Sequence, residues 1–285
     1  MPATDELTVT TATPDDWQQV VQWAADEEWN PGREDTACFH PTDPDGFFLG
    51  RRGNRPVSAV SVVNYSASYA FLGYYLVHPD LRGQGLGLAT WRAAVPHAGT
   101  RTVGLDAVPA QQATYRRAGF TPAYETVRHG GRPDRDGTPP PPEVVPVTGS
   151  HLDALAAYDL RCFPADRRRF VTRWLTAPGH TALAYLRDGE IAGYGVLRPA
   201  RTGHRIGPLF ADTDRVAEAL FDALVATLAP TDEVFLDVPG PRAGAHALAT
   251  GRGLTPRSHT VRMYTGPVPP TDQHRTYGVT SLELG

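Results

Sequence analysis

The stretch "HPDLRGQGLGLATW" (His78–Trp91) places three glycines within five residues, with Arg82 in front and an apolar run behind. Before it, "YAFLGYYLV" (Tyr69–Val77) reads as a largely apolar strand, and "GLGLATWRAAV" after Gln84 reads as a helix. Glycines leave backbone N–H groups uncovered. At a strand-to-helix junction the positive end of the helix dipole points at the same spot. The expectation is a phosphate cradle at Gly83, Gly85 and Gly87, with the Arg82 guanidinium at its rim.

Three kinds of cradle must be separated. A P-loop needs Gly-Lys-Ser/Thr, and this chain has no lysine; all 27 of its basic residues are Arg. A dinucleotide fingerprint needs G-x-G-x-x-G, and both registers fail, at Leu88 counting from Gly83 and at Thr90 counting from Gly85. Only Asp106, where a ribose-binding acid would stand, speaks for that reading. The third pattern, R-x-x-G-x-G, is met by Arg82, Gly85 and Gly87.

The chain has 285 residues, 41% of them hydrophobic, and a net charge of -4, which is the composition of a folded globular protein without a basic block for nucleic acid or a membrane surface. Cys38 and Cys162 are too few for a disulfide framework or a four-cysteine zinc site, so buried reduced thiols and no metal are expected. The start, "MPATDELTVT", has neither a basic nor an apolar leader segment, and a cytoplasmic location is expected.

"RHGGRPDRDGTPPPPE" (Arg128–Glu143) is rich in Pro, Gly and charge and reads as a stiff linker. The expected division is 1–130, a linker at 131–143, and 144–285. The two parts echo each other. "GFTPAYETVR" from Gly119 returns as "GLTPRSHTVR" from Gly253, an offset of 134 residues. The same offset relates "VSAVSVV" (Val57) to "IAGYGVL" (Ile191) and "LGYYLV" (Leu72) to "IGPLFA" (Ile206), while "GLDAVP" (Gly104) matches "FLDVPG" (Phe235) at 131. Several matches in one order indicate two copies of one unit. In the first copy the patterns run strand, helix, three meander strands, helix, strand, helix, strand, an α+β arrangement.

"YLVHPDLRGQGLG" after a meander, with "TYRRAGF" about 30 residues later, resembles the GNAT family of acyl-CoA-dependent N-acyltransferases over most of residues 7–128. The resemblance implies tandem folds, each a mixed, mostly antiparallel sheet between helices (α/β/α layers). It implies that the backbone of Tyr75, Leu76 and Val77 pairs with the pantetheine arm of acetyl-CoA. The amides of Gly83, Gln84, Gly85, Leu86, Gly87 and Leu88 would hold the pyrophosphate. Tyr115 falls where the family often places a proton donor for the departing thiolate.

Amine attack on a thioester needs a neutral amine, a donor for the developing oxyanion and a proton for the leaving group. The N–H near Val77 is the candidate oxyanion donor. The strand "YAFLGYYLV" carries no carboxylate to act as base. Asp106 can anchor a substrate ammonium or take its proton, or can be a plain turn or cap carboxylate. Glu27 and Glu28 can wall a site for a cationic acceptor, or belong to a solvated helix face. His78 reads as structural, and "DRRRF" (Asp166–Phe170) as a solvated helix face. In the second copy the 134 offset puts Val216, Ala217, Ala219 and Phe221 in place of Arg82, Gly83, Gly85 and Gly87, and Ala249 in place of Tyr115, so that half is expected to lack the cradle. The expected function is N-acylation of a small-molecule amine; a non-catalytic module that senses CoA is the alternative. No partner macromolecule is implied beyond a second copy of the chain.

Overall fold

A computed structural model describes residues 6–135, 137–240 and 242–285. The first five residues of the "MPATDELTVT" reading, Asp136 of the expected linker, and Pro241 lie outside the described residues.

The first half follows its sequence patterns. Strand β1 (Leu7–Thr11) leads to α1 (Pro14–Asp26), which starts on a capping box: the Thr13 hydroxyl accepts from the Asp16 N–H, and the Asp16 carboxylate accepts from the Thr13 N–H. Trp17, Val20, Trp23 and Ala24 are buried on its inner face, and Val21 is half-buried beside them. After α2 (Asp35–Phe39) come β2 (Phe47–Arg52), β3 (Arg55–Asn64) and β4 (Tyr69–Val77), the first two joined through Gly53 at φ +56°. Then follow α3 (Leu86–Ala94), β5 (Thr102–Ala107), α4 (Gln112–Arg117) and β6 (Thr121–Gly131). The second half repeats the plan. It consists of β7 (Val144–Pro146), α5 (Leu152–Cys162), α6 (Arg168–Thr176), β8 (Thr181–Arg187), β9 (Glu190–Pro199), β10 (His204–Ala211), α7 (Asp214–Ala226), β11 (Val234–Pro239), α8 (Ala243–Gly251) and β12 (Thr255–Tyr264), closed by a short β13 (Thr276–Gly278).

The halves do not form two separate sheets. All thirteen strands of the described residues share one, in the order β1-β2-β3-β4-β5-β12-β6-β11-β10-β9-β8-β7, with β13 on β10. Each half lends its last strand to the other, since β6 pairs with β11 and β12 pairs with β5. At the centre β6 and β12 run antiparallel with Thr126 opposite Thr260, two residues that occupy the same place in the repeat. Val127 lies opposite His259 and Glu125 opposite Val261, as a two-fold axis through the threonine pair requires. The sequence division near 130–143 therefore marks the repeat, while the sheet runs across it.

One face of the sheet carries a core shared by both halves, in which Phe39 of α2 meets Phe170 and Trp174 of α6 at ring-centroid distances of 4.4 and 5.3 Å. On the other face α3 and α4 cover the first half and α7 and α8 the second, each over its own core. One expectation fails at the shared core. Arg167 of "DRRRF" is buried rather than solvated, because its guanidinium clamps both oxygens of Asp159 at 2.8 and 2.9 Å and stacks 3.7 Å from the Phe163 ring centre. Cys38 and Cys162 are buried free thiols, and burial raises the pKa of each. Among the described residues no helix is long and apolar enough to cross a membrane.

Candidate active site

β4 and β5 run parallel for three residue pairs, Tyr69–Thr102 to Phe71–Gly104, and then part. The parting follows from the backbone: the β3–β4 register slips between Ala59 and Ser61, and Tyr74 sits at φ +47°, a left-handed conformation rare for a bulky residue. Consecutive side chains on a strand point to opposite faces. Tyr74 accordingly packs on Trp17 of α1 at 5.7 Å, and Tyr75 on Trp91 of α3 at 5.3 Å. Backbone amide direction alternates as well. The His78 N–H turns to β3, 2.9 Å from the Val57 carbonyl, so the amides of Val77 and Tyr75 turn away from β3 and into the gap.

The gap is a crevice of about 640 Å³ between the two helix-bearing faces. The glycine loop stands on the α3 face. Gly83 and Gly85 are left-handed, at φ +78° and +79°, and a Cβ on either would meet nothing within 4 Å. Gly85 is also the N-cap of α3, with no side chain bonded to the first-turn amides. Gly87 serves differently, since a Cβ there would come within 2.9 Å of both the Tyr75 hydroxyl and Val77 Cγ2; its absence lets α3 lie close on β4. Leu86 is buried, Leu88 is half-exposed, and Gln84 accepts from Arg52 at 3.2 Å. Arg82 is anchored, its Nε to the Val77 carbonyl at 3.2 Å and its Nη2 to Glu27. These features fit a diphosphate, with amides open to the solvent side and a cation at their edge.

Tyr115 of α4 reaches the same crevice, its ring held against Trp91 at 5.9 Å and Phe120 at 6.0 Å. Burial, with Tyr75 as a lesser cause, pushes the Tyr115 hydroxyl well above its ordinary range, so it remains protonated at neutral pH. Asp106, read as an ammonium anchor or base or as a plain turn or cap carboxylate, lines the crevice. Its side chain is wholly buried, and both oxygens accept from Arg262, at 3.1 and 2.7 Å. Glu27 is engaged by Arg82, and both Glu27 and Glu28 line the crevice. His78 packs its ring on Trp23 at 6.0 Å.

The crevice is also lined by residues that the sequence patterns did not single out: Trp29 and Asn30 between α1 and α2, Arg201 and Thr202 after β9, and Ser258 and His259 on β12. Arg128 lies beneath them, bonded to both oxygens of Asp237 and, at 2.7 Å, to the Trp29 carbonyl. A signal for it was present. The repeated Arg of "ETVR" and "HTVR" and the repeated Asp of "GLDAVP" and "FLDVPG" are the members of two reciprocal ion pairs, Arg128–Asp237 and Arg262–Asp106, each joining one half to the other.

The corresponding opening in the second half is filled by the chain itself. β10 and β11 pair from His204 to Ile206 and then part, and β13 enters beside Leu209 and Phe210 of β10, with the Val279 N–H bonded to the Asp237 carbonyl at 3.0 Å. The Tyr277 hydroxyl donates to Asp214 at the start of α7, the helix that corresponds to α3.

Comparison with known proteins agrees with this geometry. The profile of the acetyltransferase (GNAT) family matches residues 14–120, and that of an acetyltransferase (GNAT) domain matches residues 155–278. The chain is 34% identical over 275 residues to the holothin acyltransferase of Pseudoalteromonas sp. (strain SANK 73390), covering 96% of this chain and 93% of that one. Among solved structures, a Pyrococcus horikoshii protein provisionally classed as an acetyltransferase superposes with a TM-score of 0.82 at 23% identity, covering 98% of this chain and 96% of that one. A tandem GNAT protein from the clavulanic acid biosynthesis pathway gives 0.66 at 18% identity, covering 92% and 100%. At these identities the two structures speak for the fold alone. The full-length relative, together with a matching profile on each half, shows that the chain belongs to the GNAT acyltransferase family and carries its fold twice in tandem.

Proposed function

We propose that the first half transfers an acetyl group from acetyl-CoA to the amine of a small molecule by direct attack. One observation carries the reading: the edge of β4 at Tyr75 and the protonated Tyr115 line a single crevice, and the uncapped glycine loop follows directly from the end of that same strand. Bound acetyl-CoA supplies the thioester. The loop amides hold its diphosphate, and the Tyr75 and Val77 edge pairs with its pantetheine arm as an added strand would. The Val77 N–H donates to the oxygen that becomes negative as the amine attacks. Tyr115 gives its proton to the leaving sulfur and is restored by the proton that the attacking nitrogen sheds, carried through water. The amine enters from the Trp29 side. The resemblance to an enzyme named for acylating holothin supports a small acceptor of that kind over a protein chain.

Thiol release from acetyl-CoA, measured over holothin, simple primary amines and a lysine peptide, tests the reading. The expected result is turnover with a small amine and a kcat about 100-fold lower in Tyr115→Phe with acetyl-CoA affinity kept. Binding of acetyl-CoA without turnover on any amine would show a sensing module instead.

A further inference from the structure

We propose that Arg205, a residue of the second half, is a positioning residue for the acceptor: its buried guanidinium fixes the loop between α1 and α2 that walls the amine side of the crevice. The proposal rests on the acyl-transfer reading above. Arg205 is 1% exposed. It bonds to Asp237 and lies 3.4 Å from both oxygens of Glu283, and its Nη1 donates to the Asn30 carbonyl at 3.2 Å. Arg128, on the same Asp237, donates to the preceding carbonyl, that of Trp29. Two buried cations thus hold two consecutive carbonyls of one loop. The outer rim of that loop is tied to the same strand connection. Asn30 and Thr202 exchange two bonds of 2.9 Å, and the Arg33 N–H reaches the Pro199 carbonyl at 3.1 Å.

The repeat shows that this arrangement exceeds what joining the halves requires. The reciprocal pairs Arg128–Asp237 and Arg262–Asp106 already link both sides of the axis. Arg205 has no counterpart. The 134 offset places Phe71 at its position in the other copy, where the Arg262 guanidinium lies 4.9 Å from that ring. The additional cation, together with Glu283, stands only beside the crevice that keeps its glycine loop. Buried charges are costly to desolvate and are no better for stability than apolar packing. Their return here is geometric: a loop with Glu28 and Asn30 both at positive φ is held in one conformation, and the amine side of the crevice with it.

Steady-state kinetics and acetyl-CoA calorimetry on the full chain test this with Arg205→Met and Asn30→Gly. The second variant removes the exposed Asn30–Thr202 bonds at a left-handed position that glycine adopts without strain, and it carries the test if the first does not fold. Turnover by the unaltered chain on the best amine of the panel is the control; its failure would count against the acyl-transfer reading and not against this one. The expected result is an amine KM at least about tenfold higher, with kcat within about threefold and the acetyl-CoA Kd within about twofold. Hydrogen exchange of residues 27–35 in the ligand-free chain should quicken by about tenfold or more. An unchanged amine KM in folded variants, or loss of acetyl-CoA affinity in step with it, would overturn the assignment.

Discussion

Arg262 and Asp106 form a two-pronged ion pair, Nε to Oδ1 at 3.1 Å and Nη2 to Oδ2 at 2.7 Å, between two side chains that are nearly or fully removed from solvent. The pair ties β12 of the second half to β5 of the first, in the register that sets Arg262 opposite Asp106. Removing one member strands the other charge in the interior, which typically costs about 3–5 kcal/mol. Asp106→Ala is therefore expected to lower the thermal midpoint sharply, and the double variant Asp106→Ala/Arg262→Leu to recover part of the loss. A midpoint unchanged in Asp106→Ala, with kcat alone falling, would restore the carboxylate to a chemical role.

The glycine loop makes two different demands, which substitution should separate. At Gly85 a side chain finds open space and meets only the left-handed backbone penalty of about 1–2 kcal/mol. Its carboxylate version would face an incoming diphosphate. Gly85→Asp is expected to keep the fold and weaken acetyl-CoA binding by about 100-fold or more, read by calorimetry. Gly87→Ala has no room against Tyr75 and Val77, so it should lose both stability and affinity. An affinity untouched by Gly85→Asp would remove the loop from the binding site.

Histidine burial makes stability depend on mild acid. His180 is packed edge-on against Trp174 at 4.9 Å with Nδ1 at 2.8 Å from the Trp174 carbonyl, and burial lowers its pKa to about 4. The folded chain then binds fewer protons than the unfolded chain below the ordinary histidine value near ~6.5. Its contribution is complete above that value and is lost as pH falls towards about 4. From pH 7 to pH 5 the loss amounts to about 2 kcal/mol. Urea denaturation at the two pH values should show His180→Gln losing less stability than the unaltered chain by about that amount. Equal losses would mean that the ring titrates normally.

Local readings survived where one element decides one property. The strand–loop–helix around Gly83–Gly87 was legible because it depends on residues within a few positions. The exchange of β6 and β12 was not, because strand pairing across a sheet is chosen by partners more than 100 residues away; the 134-residue echo revealed the repeat and not the swap. The same limit explains Asp106. Its position at a strand end was readable, while its partner Arg262 belongs to the other copy. Arg167 looked solvated in a run of charges because nothing nearby in sequence announces Asp159 and Phe163 as its surroundings. Asn30 is set in the crevice wall by Thr202 and Arg205 of the second half, and Trp29 by Arg128, whose partner Asp237 belongs to that half; no local pattern encodes either.

The filled opening of the second half predicts a single acetyl-CoA site per chain. Where the first half leaves the edge of β4 free beyond Phe71, the second gives the matching edge of β10 to β13. Asp214, at the start of α7, is bonded by Tyr277 and Arg242, and Thr213 caps that helix with its own hydroxyl, so the amides and the charge there are unsuited to a diphosphate. Calorimetric titration should give one site per chain, and Gly85→Asp should abolish that single site. Two sites in the unaltered chain, or one that persists in Gly85→Asp, would mean that the second half binds the donor after all. Tyr277→Ala distinguishes a plug from a gate, because it loosens β13 without creating a glycine loop. It should lower the thermal midpoint by several degrees and still leave the stoichiometry at one.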